Sequence, residues 1–193
     1  MKSYPPYPSE KEVKHYNTLA LNLEEYVMND RTLKRLFNRI FPKNVDLSEI
    51  KIKVSTLNDF YSTNIYKTHL VSKHILNIDI DERLSQKDES VVNDIAKVDM
   101  NGKPRYFYSF ATKYCSHHHP NDFPIYDRHV DNMLWHFQKQ YQFSSFKRPE
   151  LKNYSKFKSI IRDFINHFKL SDFTIKEIDR YLWACGSRYF KRL

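Results

Sequence analysis

Phe107–Val130 reads FYSFATKYCSHHHPNDFPIYDRHV. An aromatic-flanked stretch at helical spacing runs into His117, His118 and His119, and a His-Pro-Asn-Asp-Phe-Pro loop ends it. Asp127 then stands immediately before a second periodic stretch with Val130, Met133, Leu134 and Phe137. The segment reads as helix, loop, helix, with a carboxylate where the second helix starts. Asp is a preferred N-cap: its oxygen accepts the N–H groups that the first turn leaves without partners, and its charge suits the positive end of the dipole. The same placement serves chemistry, because a carboxylate held there stays ionised and can face a cationic transition state. Both roles are open at this point.

Outward from this segment the chain reads almost wholly as helix. Residues 1–8, with Pro5, Pro6 and Pro8, predict an extended arm. Ser9 and Glu12 form a capping-box pattern ahead of Val13, Tyr16, Leu19, Leu23 and Tyr26. Asp30 is expected to cap a helix carrying Leu33, Leu36, Phe37 and Ile40 that stops at Pro42. Residues 43–55 have no firm period, and Ile50–Val54 could be a short strand. Short helices are expected over about 56–62, 64–77, 80–86 and 89–98, with Asp88 or Ser90 capping the last. Val98–Arg105 reads as a turn broken by Asn101-Gly102 and Pro104. Further helices are expected over 106–118, from Asp127 onward, over about 150–169, and after the Thr174–Glu177 capping box. The expected fold is all-α: a compact, two-lobed helical domain over residues 9–193.

Two glycines, Gly102 and Gly186, argue against glycine-rich phosphate loops and turn-rich β folds. No apolar run approaches the roughly 18 residues of a membrane span, and the N-terminus carries no apolar signal core. Two cysteines without a CxxC spacing predict a reduced, cytoplasmic protein. The formal net charge is +9, and residues 128–193 hold 14 basic against 6 acidic side chains. A basic excess confined to one third of the chain predicts a polyanion partner, nucleic acid first, with a merely solvated lysine-rich face as the plain alternative.

Consecutive histidines point about 100° apart on a helix, so they do not converge on one metal. They suit the negative end of a helix instead, and no metal or cofactor is expected. Cys115 and Cys185 read as core residues.

Helix, turn, helix, loop and then apolar-apolar-Asp-x-His resembles the helix-hairpin-helix DNA glycosylase superfamily, which includes endonuclease III and the 8-oxoguanine glycosylases. The matching residues are Ile125-Tyr126-Asp127-Arg128-His129 and, eighteen positions before Asp127, Ser109-Phe110-Ala111. The resemblance spans residues 56–193. It implies that Asp127 stabilises an oxocarbenium-like sugar or steers water onto C1′ as a base leaves. It also implies a duplex DNA partner with one base flipped out between aromatic side chains, for which Tyr61, Tyr108, Tyr114 and Trp183 are the candidates. Ser109 stands where bifunctional members carry a nucleophilic lysine, so a monofunctional N-glycosylase of base excision repair is implied, without lyase chemistry. Lys113, one turn on, reaches toward the same place. The glycine-rich hairpin turn of the family is absent, so phosphate contacts fall to Lys103, Arg105 and Arg128. His129 is expected to support Asp127 by hydrogen bonding. The four-cysteine iron–sulfur signature of some members is missing. Two other readings stand beside this one: a catalytically inactive nucleic-acid binder of the same fold, and a helical interaction protein unrelated to DNA. Oligomeric state is not legible.

Overall fold

The protein was analysed as a computed structural model that describes residues 4–190. Residues 1–3 of the expected arm, and Lys191 and Arg192 of the basic C-terminal third, lie outside the described residues. The chain is mostly helical, with ten α-helices and one two-stranded sheet among the described residues. It divides into two compact units. One comprises Met28–Phe123; the other joins the preceding N-terminal residues to the segment from Pro124 onward.

In the Met28–Phe123 unit, α2 (Glu24–Arg35) enters from the preceding residues and runs into a π-helical turn over Leu36–Ile40. Asp30 lies inside α2, not at its cap, because the helix already starts at Glu24. Leu33, Leu36 and Phe37 are buried, whereas Ile40 is exposed. Ile50–Val54 is helical, within α3 (Leu47–Tyr61). Asp46 opens that helix, its Oδ1 accepting from Ser48 N at 2.8 Å and Glu49 N at 3.0 Å. Ile50, Val54 and Leu57 recur at helical spacing and all three are buried, which decides against a strand. Then come α4 (Thr68–Asn77), α5 (Asp81–Ser85), α6 (Ser90–Ala96) and α7 (Tyr108–His118).

The expected turn at Val98–Arg105 is a β-hairpin. Lys97–Asp99 (β1) pairs antiparallel with Pro104–Tyr106 (β2), in the register Lys97 to Tyr106, Val98 to Arg105 and Asp99 to Pro104. Asn101 (φ 61°) and Gly102 (φ 79°) supply the left-handed tip, and Gly102 N donates to Asp99 Oδ1 at 2.6 Å. The chain is therefore not purely α.

A buried polar network ties this unit together. Lys53 is fully buried. Its Nζ donates to Phe41 O at 3.1 Å, Lys43 O at 2.8 Å and Asn44 Oδ1 at 2.6 Å. Asn44 Oδ1 also accepts from Tyr114 Oη at 2.6 Å. Asn44 N and Nδ2 donate to the Asp81 carboxylate at 2.8 and 2.6 Å, and Nδ2 donates to His118 Nε2 at 3.2 Å.

In the other unit, α1 (Glu10–Leu21) packs against α10 (Ile175–Tyr189), and α8 (Arg128–Tyr141) packs against α10 as well. Asn17 of α1 donates to Glu177 O at 3.0 Å and accepts from Arg180 at 2.8 Å. The continuous helix expected through Tyr26 breaks after α1, at Asn22. The helix expected over 150–169 is a 3₁₀ turn (Arg148–Lys152) followed by α9 (Tyr154–His167), with Asn153 accepting from Lys156 N at 3.2 Å. Ser9 and Thr174 cap α1 and α10 as their patterns predict. Residues 4–9 are without helix or strand; Tyr7 packs edge-on against Tyr141 and Phe168.

Burial, then the nearby Lys53 charge, hold His118 well below its ordinary pKa. Its Nε2 accepts a hydrogen bond, so the ring is neutral. Protonation is thus favoured in the unfolded chain, at about pH 6.5. Stability is complete above that pH and falls as pH drops below it. Thermal melts should show a declining Tm from pH 6.5 to 5, and His118→Gln, which retains an acceptor for Asn44, should make the decline shallower. His136, also lowered by burial, contributes in the same direction in both proteins. An identical pH profile in the variant would contradict the assignment.

Candidate functional site

In the unit that continues from Pro124, the start of α8 is fixed from both sides. Asp127 is its N-cap, in extended conformation, and Oδ1 alone accepts from His129 N at 2.8 Å and Val130 N at 2.9 Å. Oδ2 takes no hydrogen bond from the described residues. The preceding residues are anchored in turn. Tyr154 Oη donates to Pro124 O at 3.1 Å, and Ile125 N donates to Asp179 Oδ2 at 2.9 Å. Tyr126 Oη donates to Asp131 Oδ2 at 2.9 Å, while Asp131 Oδ1 accepts from Arg148 Nε at 2.6 Å. Burial, then the Asp131 charge, push the Tyr126 phenol well above its ordinary value, so it remains a donor. Most of these supports are not visible in the sequence: Asp131 lies on α8 itself, but Arg148, Tyr154 and Asp179 come from three further segments.

Gly186 brings α10 against the same helix start. A Cβ there would lie 2.9 Å from both His129 Cβ and His129 O, and 3.0 Å from Met133 Cγ. Any side chain would push the first turn of α8 outward. His129 supports Asp127 through its backbone N–H; its ring Nδ1 is buried with no hydrogen-bond partner among the described residues. Arg128 is exposed, with no carboxylate partner among the described residues. Trp183 stacks on Tyr26 at 5.1 Å between ring centroids. It lines an open groove of about 460 Å³ with Leu19, Leu23 and Arg188.

In the Met28–Phe123 unit, α7 presents a second group. Lys113 is buried, and its Nζ donates to Ser109 Oγ at 2.7 Å, one turn back. The same Nζ lies 5.1 Å from the centre of the Tyr61 ring. Tyr61 Oη is 3.0 Å from His117 Nε2. The amine of Lys113 thus lies against Ser109, one turn back on the same helix. Tyr61 is 37% exposed and half-open. Tyr114 is not available as a base platform: it is fully buried, and Asn44 holds its hydroxyl. Tyr108 is 5% exposed and stacks on Tyr106 at 5.7 Å. Lys103 and Arg105 are exposed on the hairpin.

The three histidines diverge, as their spacing requires. His117 meets Tyr61, His118 meets Asn44, and His119 lies beside Phe123. No group of three or more His, Cys, Asp or Glu side chains among the described residues is arranged to hold a metal ion. Both cysteines are buried, and burial raises their thiols, Cys185 to about 12 and Cys115 further. Neither is a nucleophile at neutral pH. No helix among the described residues is long and apolar enough to cross a membrane.

The chain belongs to the family described as HI_0787_N, N-terminal domain, whose model matches residues 10–122. The match ends beside Phe123, where the Met28–Phe123 unit also ends. An uncharacterized protein of Haemophilus influenzae is 42% identical over 185 residues, which cover 95% of this chain and 85% of that protein. No solved structure matches the chain significantly.

Proposed function

We propose that this chain is a DNA-binding protein of helix-hairpin-helix glycosylase type, cleaving the N-glycosidic bond of modified or damaged bases in base excision repair. The observation that carries the reading is the divided carboxylate of Asp127. One oxygen caps α8, and the other takes no hydrogen bond from the described residues. A carboxylate oriented by two backbone N–H groups is pre-organised, and its second oxygen can stabilise positive charge as it develops at C1′. The C1′–N bond breaks with its electron pair going to the base, which takes up a proton; water adds to C1′ and releases a proton to solvent, leaving an abasic sugar. Arg128, exposed at the same helix start, supplies a phosphate contact. Of the aromatic candidates, Trp183 belongs to the same unit as Asp127 and lines an open groove that could take a flipped base.

Duplexes carrying single modified bases, incubated with the protein and then treated with alkali, test this reading. Strand breaks are expected at one class of modified base, and Asp127→Asn should reduce them by about 100-fold or more. Breaks that persist undiminished in the variant contradict the role of Asp127. Salt-dependent duplex binding without breaks at any base leaves a non-catalytic binder.

One observation favours a second, bifunctional reading. The Lys113 amine lies 2.7 Å from Ser109 Oγ, and the resemblance puts the family's nucleophilic lysine at Ser109. An amine there can attack C1′ of an abasic site, expel water and form a Schiff base. Borohydride added to protein and abasic duplex should then trap a covalent complex that Lys113→Met loses. Absence of any trapped complex with wild-type protein returns the chemistry to the monofunctional form.

A further inference from the structure

We propose that the β-hairpin at residues 97–106 grips the phosphate backbone of duplex DNA, and so takes the place of a glycine-rich phosphate-binding turn. This rests on the DNA-binding reading above. The segment joins α6 to α7 and holds one glycine, Gly102, at its tip. The structure fills that place with a projecting ribbon. Apart from Val98, which is buried, and Met100, which is half-buried, every residue from Lys97 to Tyr106 is exposed. Val98 anchors the ribbon; Phe107 N donates to Ala96 O at 2.8 Å and closes its base.

The ribbon is net positive, with three cations against one carboxylate. Lys97, Lys103 and Arg105 form no ion pair with any described residue. The ribbon's one carboxylate, Asp99, accepts the turn amide of Gly102 at 2.6 Å. In the paired register Lys97 shares a face with Tyr106, while Arg105 lies across from Val98 on the other face. Cations therefore lie on both faces of the ribbon, with Lys97 at its base, Arg105 midway and Lys103 beside its tip. Tyr106 is itself held: its hydroxyl donates to Asn93 Oδ1 at 2.9 Å, and its ring stacks on Tyr108. Three cations on a short ribbon pinned by its own turn lose little freedom on meeting phosphates. A two-stranded ribbon fits a major groove about 12 Å wide, with a phosphate backbone on either side. The complementary partner is a duplex polyanion; Lys and Arg on phosphate give position without sequence preference.

The test is fluorescence anisotropy of a labelled duplex of unmodified DNA, titrated with full-length protein across a range of salt. Three proteins are compared with wild type. One has Lys97, Lys103 and Arg105 replaced by Ala. One has the same positions exchanged as Lys97→Arg, Lys103→Arg and Arg105→Lys. The third has Lys34, Lys51 and Lys73 replaced by Ala, removing equal charge from exposed positions outside the hairpin. The hairpin alanine variant should bind about tenfold or more weakly, with the slope of log affinity against log salt reduced by about 2 to 3. The charge-retaining exchange and the distant variant should stay near wild type. Wild-type binding that the hairpin alanines leave unchanged, or that the distant variant weakens equally, overturns the hairpin proposal and leaves the DNA-binding reading standing. No duplex binding by wild type overturns both.

Discussion

A buried ammonium group sets the terms for the Met28–Phe123 unit. Lys53 sits on α3 between Ile50 and Leu57, with Phe37 and Tyr114 ring centres 5.5 and 5.7 Å from its Nζ. Burial, its largest influence, pushes its pKa down to about 8, with the charges of Asp81 and Glu49 opposing. It is still mostly charged at neutral pH, and a buried charge must be solvated by the protein. The carbonyls of residues 41 and 43 and the amide of Asn44 meet that demand, so the stretch after Pro42 is fixed by one side chain. Asn44 passes the constraint on to Asp81 at the start of α5 and to Tyr114 and His118 on α7. The face of α7 that carries Ser109 and Lys113 is thereby held in rotation as well as position.

The segment from Pro124 follows the same logic with the opposite sign. Asp127 is where the chain turns into α8, and its capping oxygen aligns the first turn. Asp131, buried one turn on, is satisfied by Tyr126 and Arg148, so a second carboxylate beside Asp127 is neutralised locally and does not compete for a cation. Gly186 permits α10 to approach the backbone of His129. A carboxylate used only as a cap would need none of this reinforcement, because capping requires little beyond the extended conformation of the cap residue. The reinforcement fits a group whose second oxygen must stay in place while charge develops beside it.

Much of the scaffold was legible because its signals are local. Ser9, Asp127 and Thr174 cap helices through bonds that span two or three residues. The apolar stripes of α8, α9 and α10 are strongly periodic. Lys113 reaching Ser109 is a one-turn relation that helix geometry predicts. The hairpin escaped reading because three-residue strands have no usable period. Asn101-Gly102 signals a turn of either kind. Ile50–Val54 misleads because its alternation does not mark a face: Ile52 is exposed, and the buried side of the helix is Ile50, Lys53, Val54 and Leu57. The depth of Lys53 was illegible, since its acceptors lie on a loop and its aromatic neighbours on a π-turn and on α7. The supports of Asp127 were hidden for the same reason: Asp179 and Tyr154 approach from far along the chain.

We propose that Asp127 stabilises positive charge on a sugar. The most direct measurement compares affinity for two otherwise identical duplexes, one with a neutral tetrahydrofuran abasic analogue and one with a cationic pyrrolidine ring in its place. No knowledge of the damaged base is needed, because transition-state likeness lies in the ring charge. The account predicts that wild-type protein prefers the cationic duplex by about 100-fold or more, and that Asp127→Asn loses this preference while binding the neutral duplex as before. Equal affinity of wild-type protein for the two duplexes would reduce Asp127 to a helix cap and contradict the account.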